Sequence, residues 1–250
     1  MRGQGPGRGR SGIALAAFCA AGLVLVAALA ALGTWQVQRR AWKHDLVARV
    51  EARIHAEPVE APGPATWDGL TPEADAYRRV RATGRLRHES ETLVQAVTDL
   101  GAGFWVMTPL ERTDGTTLLV NRGFVPTDRR DPATRSEGQG AGPVTLTGLL
   151  RLSEPGGAFL RTNDAGTGRW YSRDVAAIAQ ARGLARAAPY FIDADATPNP
   201  GGWPVGGLTI VSFPDNHLVY AITWYVLALM VAAALAYTLR DARCAGRPSH

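Results

Sequence analysis

IALAAFCAAGLVLVAALAALG, residues 13–33, is an apolar run without a charged side chain, and it decides what kind of protein this chain forms. As a helix rising about 1.5 Å per residue, the run covers the ~30 Å hydrocarbon core of a bilayer. A cleaved signal peptide is the alternative, although its apolar region is usually only about 7–15 residues long. A second such run, HLVYAITWYVLALMVAAALAYTL, occupies residues 217–239 and begins with a histidine. The sequence therefore predicts two transmembrane helices.

Arginines lie on the terminal side of both runs. Segments rich in arginine and lysine next to a span usually stay in the cytoplasm. We therefore expect the tails, residues 1–12 and 240–250, to be cytoplasmic, and residues 34–213 to form a domain outside the cytoplasm. The arginines that carry this prediction are Arg2, Arg8 and Arg10 before the first run and Arg240, Arg243 and Arg247 after the second.

Composition argues against a nucleic-acid-binding protein and against a cysteine-based site in the middle segment. The 250 residues carry a net charge of +5, but the basic residues are spread singly and in pairs rather than in one stripe, so we expect no nucleic-acid partner. The two cysteines, Cys19 and Cys244, fall outside the middle segment, which can therefore hold neither a disulfide nor a cysteine metal site.

The middle segment reads as a small α+β domain. Helical spacing of apolar residues continues from Trp35 to about Ile54, and the proline-rich stretch from Pro58 to Pro72 reads as a linker or exposed loop. Asp174 is placed to cap a short helix that ends at Arg182, with Gly183 after it, and residues 128–142 read as a polar loop.

Short segments rich in β-branched and aromatic residues predict a mostly antiparallel sheet, which we expect to curl into a partial barrel. The predicted strands are Tyr77–Leu86, Glu91–Val97, Phe104–Glu111, Thr117–Val125, Val144–Leu152, Tyr190–Ala194 and Leu208–Phe213.

His217 is the most unusual candidate for a functional residue, because an ionisable side chain at the mouth of a span is costly and usually has a partner. In a helix starting there, Tyr220, Ala221 and Trp224 share its face. This set suits a flat apolar macrocycle whose metal takes an axial imidazole. The alternative is an interfacial aromatic belt, with His217 hydrogen-bonded to the neighbouring domain.

A second set of candidates follows the first run. Trp35, Arg39 and Trp42 have helical spacing, with Gln36, Arg40 and Lys43 on an adjoining stripe. Arginines here are suited to pair with the carboxylates of an amphipathic ligand. The alternative is that these cations reach lipid phosphates.

Six segments of the sequence are considered together: GTWQVQRRAWK at 33–43, VNRGFVP at 120–126, EPG at 154–156, ND at 163–164, RWYSRD at 169–174 and NHLVYAITWY at 216–225. In their order and spacing, over about residues 13–240, these motifs resemble the SURF1 family of cytochrome c oxidase assembly factors.

The resemblance implies a non-catalytic assembly factor, or chaperone, of the respiratory chain. It would bind haem a transiently and help its insertion into oxidase subunit I, and His217 is the position that matches the histidine implicated in haem binding. The expected partners are subunit I, other oxidase assembly proteins, the enzymes of haem a synthesis and membrane lipid. The expected location is the bacterial inner membrane, where the protein would be multi-pass.

The chain departs from the family pattern at a few positions. Phe124 replaces a tryptophan, Arg161 stands where a proline is common, and Pro214-Asp215 stand where a basic residue is more usual. The last change puts propionate pairing from that side in doubt and leaves it to Arg39 and Arg40.

Two other hypotheses remain open. One is a haem-free membrane scaffold that stabilises an oxidase assembly intermediate, for which surface changes around residues 121–126 would matter more than His217. The other is a membrane-anchored enzyme, which is disfavoured because the sequence contains no recognisable catalytic motif.

Overall fold

The computed structural model describes residues 8–156, 161–209 and 215–245. These residues form two compact units. A helical unit contains the described residues up to Ala48 and from Asp215 onwards, and a sheet unit contains the described residues from Arg49 to Thr209.

The helical unit consists of parts of two long helices, α1 (Arg8–Ile54) and α4 (His217–Ala245). Both are long and apolar enough to cross a membrane, with mean hydropathy of 2.6 and 2.2 in their most apolar windows. Only 6% and 17% of those windows are buried, which distinguishes both helices from the core helices of a soluble domain. The exposed apolar surface is the kind that lipid covers.

Small residues allow α1 and α4 to pack closely as an antiparallel pair. Gly22 lies against Leu235 and Gly33 against the ring of Tyr225, so that positions later in α1 meet positions earlier in α4. The buried residues of α4 include Ala221, Ala228 and Leu235, which recur every seven residues, as in a left-handed helix pair.

The sheet unit is built on a closed five-stranded barrel. The whole sheet has seven strands: β1 (Val59–Glu60), β2 (Arg79–Leu86), β3 (Thr92–Thr98), β4 (Gly101–Arg112), β5 (Thr117–Pro126), β6 (Pro143–Leu152) and β7 (Ala187–Ala194). The ring consists of β2, β6, β7, β5 and β4, and β1 and β3 extend it at β2 and β4. The order is β1-β2-β6-β7-β5-β4-β3, and an additional pairing of β2 with β4 closes the ring. Pairing inside the ring is antiparallel except for β5 with β7. The predicted α+β fold is confirmed, and the barrel is complete rather than partial.

Two apolar clusters form the core, one on each side of β5 and β7. Leu118 and Val120 of β5 join Tyr190 and Ile192 of β7 in the first cluster. The alternating residues Leu119 and Phe191 join a second cluster, which packs against a short helix, α3 (Val175–Arg182). Since both faces of these strands are buried, each contains a run of apolar residues without alternation, Leu118–Val120 in β5 and Tyr190–Ile192 in β7.

Most predicted elements occur within a few residues of their expected positions. Helix α3 has the expected caps: the Asp174 side chain accepts a hydrogen bond from the Ala177 backbone N–H, and Gly183 takes the left-handed conformation at φ 62°. A further short helix, α2 (Pro72–Asp75), follows the proline-rich stretch.

Three expectations need correction. Leu208 and Thr209 are not in a strand, and the rest of the predicted strand 208–213 lies outside the described residues. The polar loop at 128–142 contains a 3-10 helix, Pro132–Gly138.

The stretch from Pro58 to Pro72 is not simply an exposed linker. It contains β1, which pairs with β2, and Ala61, which is buried. The Pro62 carbonyl accepts hydrogen bonds from Trp67 Nε1 (3.1 Å) and from the Tyr190 hydroxyl (2.8 Å). The prolines give this segment the composition of a loop, but the hydrogen bond that the Pro62 carbonyl accepts from Tyr190 attaches it to the barrel.

Candidate functional site

His217, the first residue of α4, is held from two directions. Its Nδ1 lies 2.7 Å from Oε1 of Gln36 on α1, and its backbone N–H donates to Oδ1 of Asp215 at 3.1 Å. A carboxamide oxygen only accepts hydrogen bonds, so Nδ1 is the donor of this bond, and in the neutral form of the imidazole Nε2 is the nitrogen without a proton. The lone pair is therefore on Nε2.

Nε2 of His217 hydrogen-bonds to no other residue in the described part of the chain, and the side chain is half-buried. A neutral imidazole with one nitrogen anchored and the other unbonded has the arrangement of a metal-binding histidine. The remaining described residues contain no group of three or more histidines, cysteines or carboxylates that could hold a metal ion. Any metal bound here would therefore bring most of its own ligands, as a macrocycle does.

Asp215 contacts both helices, because it binds two side chains of α1 and the first residue of α4. Its Oδ2 accepts from Arg40 Nε at 3.1 Å and bonds His44 Nε2 at 3.0 Å. Burial alone would raise the pKa of Asp215, but the hydrogen bonds from His44, from the His217 backbone and from Arg40 lower it to about 2. Asp215 is thus a carboxylate at neutral pH, and it neutralises much of the charge of Arg40.

The aromatic residues expected around His217 differ in their exposure. Tyr220 and Trp35 are exposed, Trp224 is half-buried, and Ala221 is buried. The residues predicted to share a helix face with His217 therefore do not present one continuous surface to a ligand, because Ala221 is buried while Tyr220 is exposed.

Arg39 is the better placed of the two predicted arginines to meet an anionic ligand. Its guanidinium carbon lies 4.1 Å from the ring centroid of Trp42, a cation–π contact that leaves its charge uncompensated by any carboxylate among the described residues. Arg40, in contrast, is engaged by Asp215.

A groove of about 310 Å³ lies between the two helices beside this cluster. Val37, Ala41, Leu218 and Ala221 supply apolar lining, and Arg40 and His44 supply polar lining. The groove can accept the apolar edge of a ligand.

Sequence reasoning did not foresee the parts played by Gln36, Asp215 and His44. The sequence placed Gln36 only on a stripe beside Arg40 and Lys43. The signal for Gln36 was an uncharged polar side chain one turn beyond the span. Its partner could be identified only after α1 and α4 were paired.

A buried ionic network in the sheet unit accounts for several of the family-like motifs. Asp193 accepts hydrogen bonds from Asn121 Nδ2 (2.7 Å), Arg151 Nη1 (3.0 Å) and Arg173 Nη1 (2.9 Å). Glu154 binds the same two arginines. The motifs at 120–126, 154–156 and 169–174 thus meet at one point of the fold.

The motif Asn121-Arg122-Gly123 has a further structural role. Arg122 donates to the Gly138 carbonyl (2.5 Å) and to Asn199 Oδ1 (3.0 Å), and burial lowers its pKa to about 10. Gly123 has φ 131°, and a Cβ there would lie 2.1 Å from the Val205 carbonyl oxygen. Residues 121–125 are buried, so this segment is not the surface that the scaffold hypothesis assumed.

Fold and site together define a class of protein: a barrel domain joined to two helices that can cross a membrane, with one oriented imidazole at the end of the helix pair. Comparison with known proteins makes the assignment specific. The profile of the SURF1 family matches residues 23–229, and this chain belongs to that family.

Relatives from distant organisms are similar over most of the chain. Surfeit locus protein 1 of Rattus norvegicus is 41% identical over 212 residues, which cover 78% of this chain and 67% of the relative. Surfeit locus protein 1 of Homo sapiens is 40% identical over 79% of this chain and 69% of the relative. A SURF1-like protein of Monosiga brevicollis is 38% identical over 84% of this chain and 82% of the relative.

Proposed function

We propose that this protein assists the assembly of haem–copper cytochrome c oxidase by holding haem a at the helical unit and helping its insertion into subunit I. Family membership supports the assembly role. The observation that supports haem as the ligand is the hydrogen bonding of His217. Its Nδ1 bonds Gln36, which leaves the lone pair of Nε2 free for a metal.

The chemistry of the residues present supports a haem as the proposed ligand. His217 Nε2 would hold the iron, Val37, Ala41 and Leu218 of the nearby groove would contact the apolar edge, and Arg39 would meet a propionate. When bound, the iron of the haem supplies the site that accepts the imidazole lone pair. The protein's part is to orient that lone pair and to shield one edge of the ligand from water.

A single imidazole also suits a carrier that must release its ligand. Among the described residues, no second histidine hydrogen-bonds to or flanks His217; the nearest one in the cluster, His44, is engaged by Asp215. One axial bond and one open groove hold the ligand less firmly than a buried two-ligand site would. We therefore propose a carrier and not an enzyme.

The proposed setting follows from the two apolar helices and the charge distribution. Both tails would lie in the cytoplasm of a bacterium, the helices would cross the inner membrane, and the sheet unit would lie outside. Nascent subunit I, other oxidase assembly proteins and the enzymes of haem a synthesis are the proposed partners.

The test is the visible spectrum of the full-length protein purified after co-production with the haem a synthesis enzymes. We expect a haem a spectrum in the wild type and its loss in His217→Ala, because the substitution removes the axial nitrogen. His55→Ala is the matched control, since His55 is exposed and bonds only Glu51.

Retention of haem by His217→Ala at the wild-type level would refute the assignment of His217. Haem-free protein in every case, together with oxidase that lacks haem when the gene is deleted, would favour a haem-free scaffold instead.

A further inference from the structure

We infer that Gln36 is a positioning residue that fixes His217 in the tautomer able to bind a metal through Nε2. The inference rests on the proposed function for the identity of the ligand, but the tautomer itself is a property of the protein without haem. The observation behind this inference is the hydrogen bond from His217 Nδ1 to Gln36 Oε1, which is 2.7 Å long.

The tautomer matters because only an unprotonated nitrogen can bind a metal. A neutral histidine side chain in water prefers to carry its proton on Nε2, which leaves the lone pair on the nitrogen nearer the backbone. Gln36 reverses that preference because its Oε1 accepts a hydrogen bond from Nδ1–H, which keeps the proton on Nδ1. Nε2 then has its lone pair before any ligand arrives.

Neighbouring contacts restrain both residues that form this hydrogen bond. Gln36 lies one turn beyond Gly33, where α1 packs against Tyr225, and Thr34 Oγ1 bonds the Tyr225 hydroxyl at 3.0 Å. On the other side, Asp215 holds the His217 backbone N–H. The imidazole is thus anchored at its ring and at its main chain, so little rotational freedom remains to be lost when a ligand binds.

A neutral acceptor also sets the strength of the axial bond. A carboxylate in the place of Gln36 would make the imidazole more basic and a stronger ligand. The carboxamide orients the ring without this increase, which suits a carrier that releases its haem. Gln36→Glu should therefore strengthen haem retention and shift the reduction potential of the bound haem to more negative values.

The first test is nuclear magnetic resonance of the haem-free, full-length, ¹⁵N-labelled protein in detergent. Two-bond ¹H–¹⁵N correlations identify which ring nitrogen of His217 carries the proton, and His217→Ala assigns the signals. We expect the proton on Nδ1 in the wild type and a shift toward the Nε2 form in Gln36→Leu. The matched control is Gln38→Leu, because Gln38 lies on the same helix and is exposed.

The second test measures haem affinity in the same variants. Loss of a residue that orients a metal ligand typically weakens binding about 10- to 100-fold, and we expect this for Gln36→Leu but not for Gln38→Leu. Gln36→Glu is the isosteric variant: it keeps an oxygen that accepts from Nδ1, so it should keep the proton on Nδ1 and bind haem more tightly than the wild type.

The two proposals fail separately. A wild-type His217 with its proton on Nε2, or a Gln36→Leu spectrum identical to the wild type, would overturn the positioning role even if haem binds. The expected tautomers without any haem binding would keep the orienting hydrogen bond and overturn the proposed ligand.

Discussion

Individual residues in this protein illustrate how a motif can mark packing rather than chemistry. Asp193 lies almost fully buried at the centre of the ionic network and accepts hydrogen bonds from four side chains, including Thr209. A buried carboxylate is tolerated only when its charge and lone pairs are satisfied. The network explains why polar residues interrupt otherwise apolar strands.

Asp193→Asn should destabilise the sheet unit by about 3 kcal/mol, because it leaves the half-enclosed guanidinium groups of Arg151 and Arg173 with less opposing charge. Denaturant unfolding of the full-length protein in detergent, followed by near-ultraviolet circular dichroism, measures this change. Asp99→Asn, at an exposed hairpin turn, should change stability by less than about 0.5 kcal/mol. Equal stabilities of the two variants would contradict a structural role for the network.

His217, in the candidate site of the helical unit, differs from Asp193 in how completely its hydrogen-bonding groups are used. His217 has one polar anchor and one unbonded nitrogen, whereas the hydrogen-bonding capacity of Asp193 is fully used. A group that the fold orients without satisfying completely is the kind that a ligand can bind. This contrast separates the candidate site from the ionic network in physical terms.

Among the elements, the pair of α1 and α4 brings the candidate site together. Gln36 and His217 are 181 positions apart in the chain, and they meet because the helices pack antiparallel at the necessary register. Glycine inside a helix costs about 1 kcal/mol relative to alanine, so Gly22 and Gly33 need a compensating reason. That reason is close approach, since a Cβ at Gly33 would lie 2.9 Å from the Tyr225 ring.

Gly33→Leu should therefore separate the helices near the site and break the contact between Gln36 and His217. We expect a loss of about 1–3 kcal/mol in the stability of the helix pair and a loss of the Nδ1-protonated signal of His217. Ala31→Leu is the control, because Ala31 is exposed on the same helix. An unchanged His217 spectrum in Gly33→Leu would show that the packing of α1 on α4 does not position the imidazole.

The whole molecule combines a closed barrel with two helices whose apolar surfaces remain uncovered by protein. A five-stranded ring leaves no open edge among its own strands, and a lipid bilayer is the solvent that suits the helices. The distribution of arginines predicts the side of the membrane on which each part lies.

Cysteine labelling tests this topology in the intact molecule. In a Cys19→Ser, Cys244→Ser background, Asp99→Cys should react with a membrane-impermeant maleimide in intact spheroplasts. In Cys19→Ser alone, Cys244 should react only after the membrane is permeabilised. The reverse pattern would place the sheet unit in the cytoplasm and contradict a role at the outer side of the membrane.

The sequence by itself determined the two apolar helices, most of the strands and the caps of α3. These features depend on local patterns: run length, alternation and capping residues. It also singled out His217 as a candidate, and the role of that residue stays a prediction. The motifs that resemble the SURF1 family were also readable from the sequence, and the family profile confirmed the assignment.

Only the tertiary structure decided that the barrel closes, that the proline-rich segment packs on it and that distant motifs meet at Asp193. It also decided that Asp215 pairs with Arg40 and that Gln36 lies within hydrogen-bonding distance of His217. Each of these depends on contacts between residues far apart in the chain, which arise from strand register and helix packing. A linear pattern specifies which face of an element is apolar, but not which partner that face will meet.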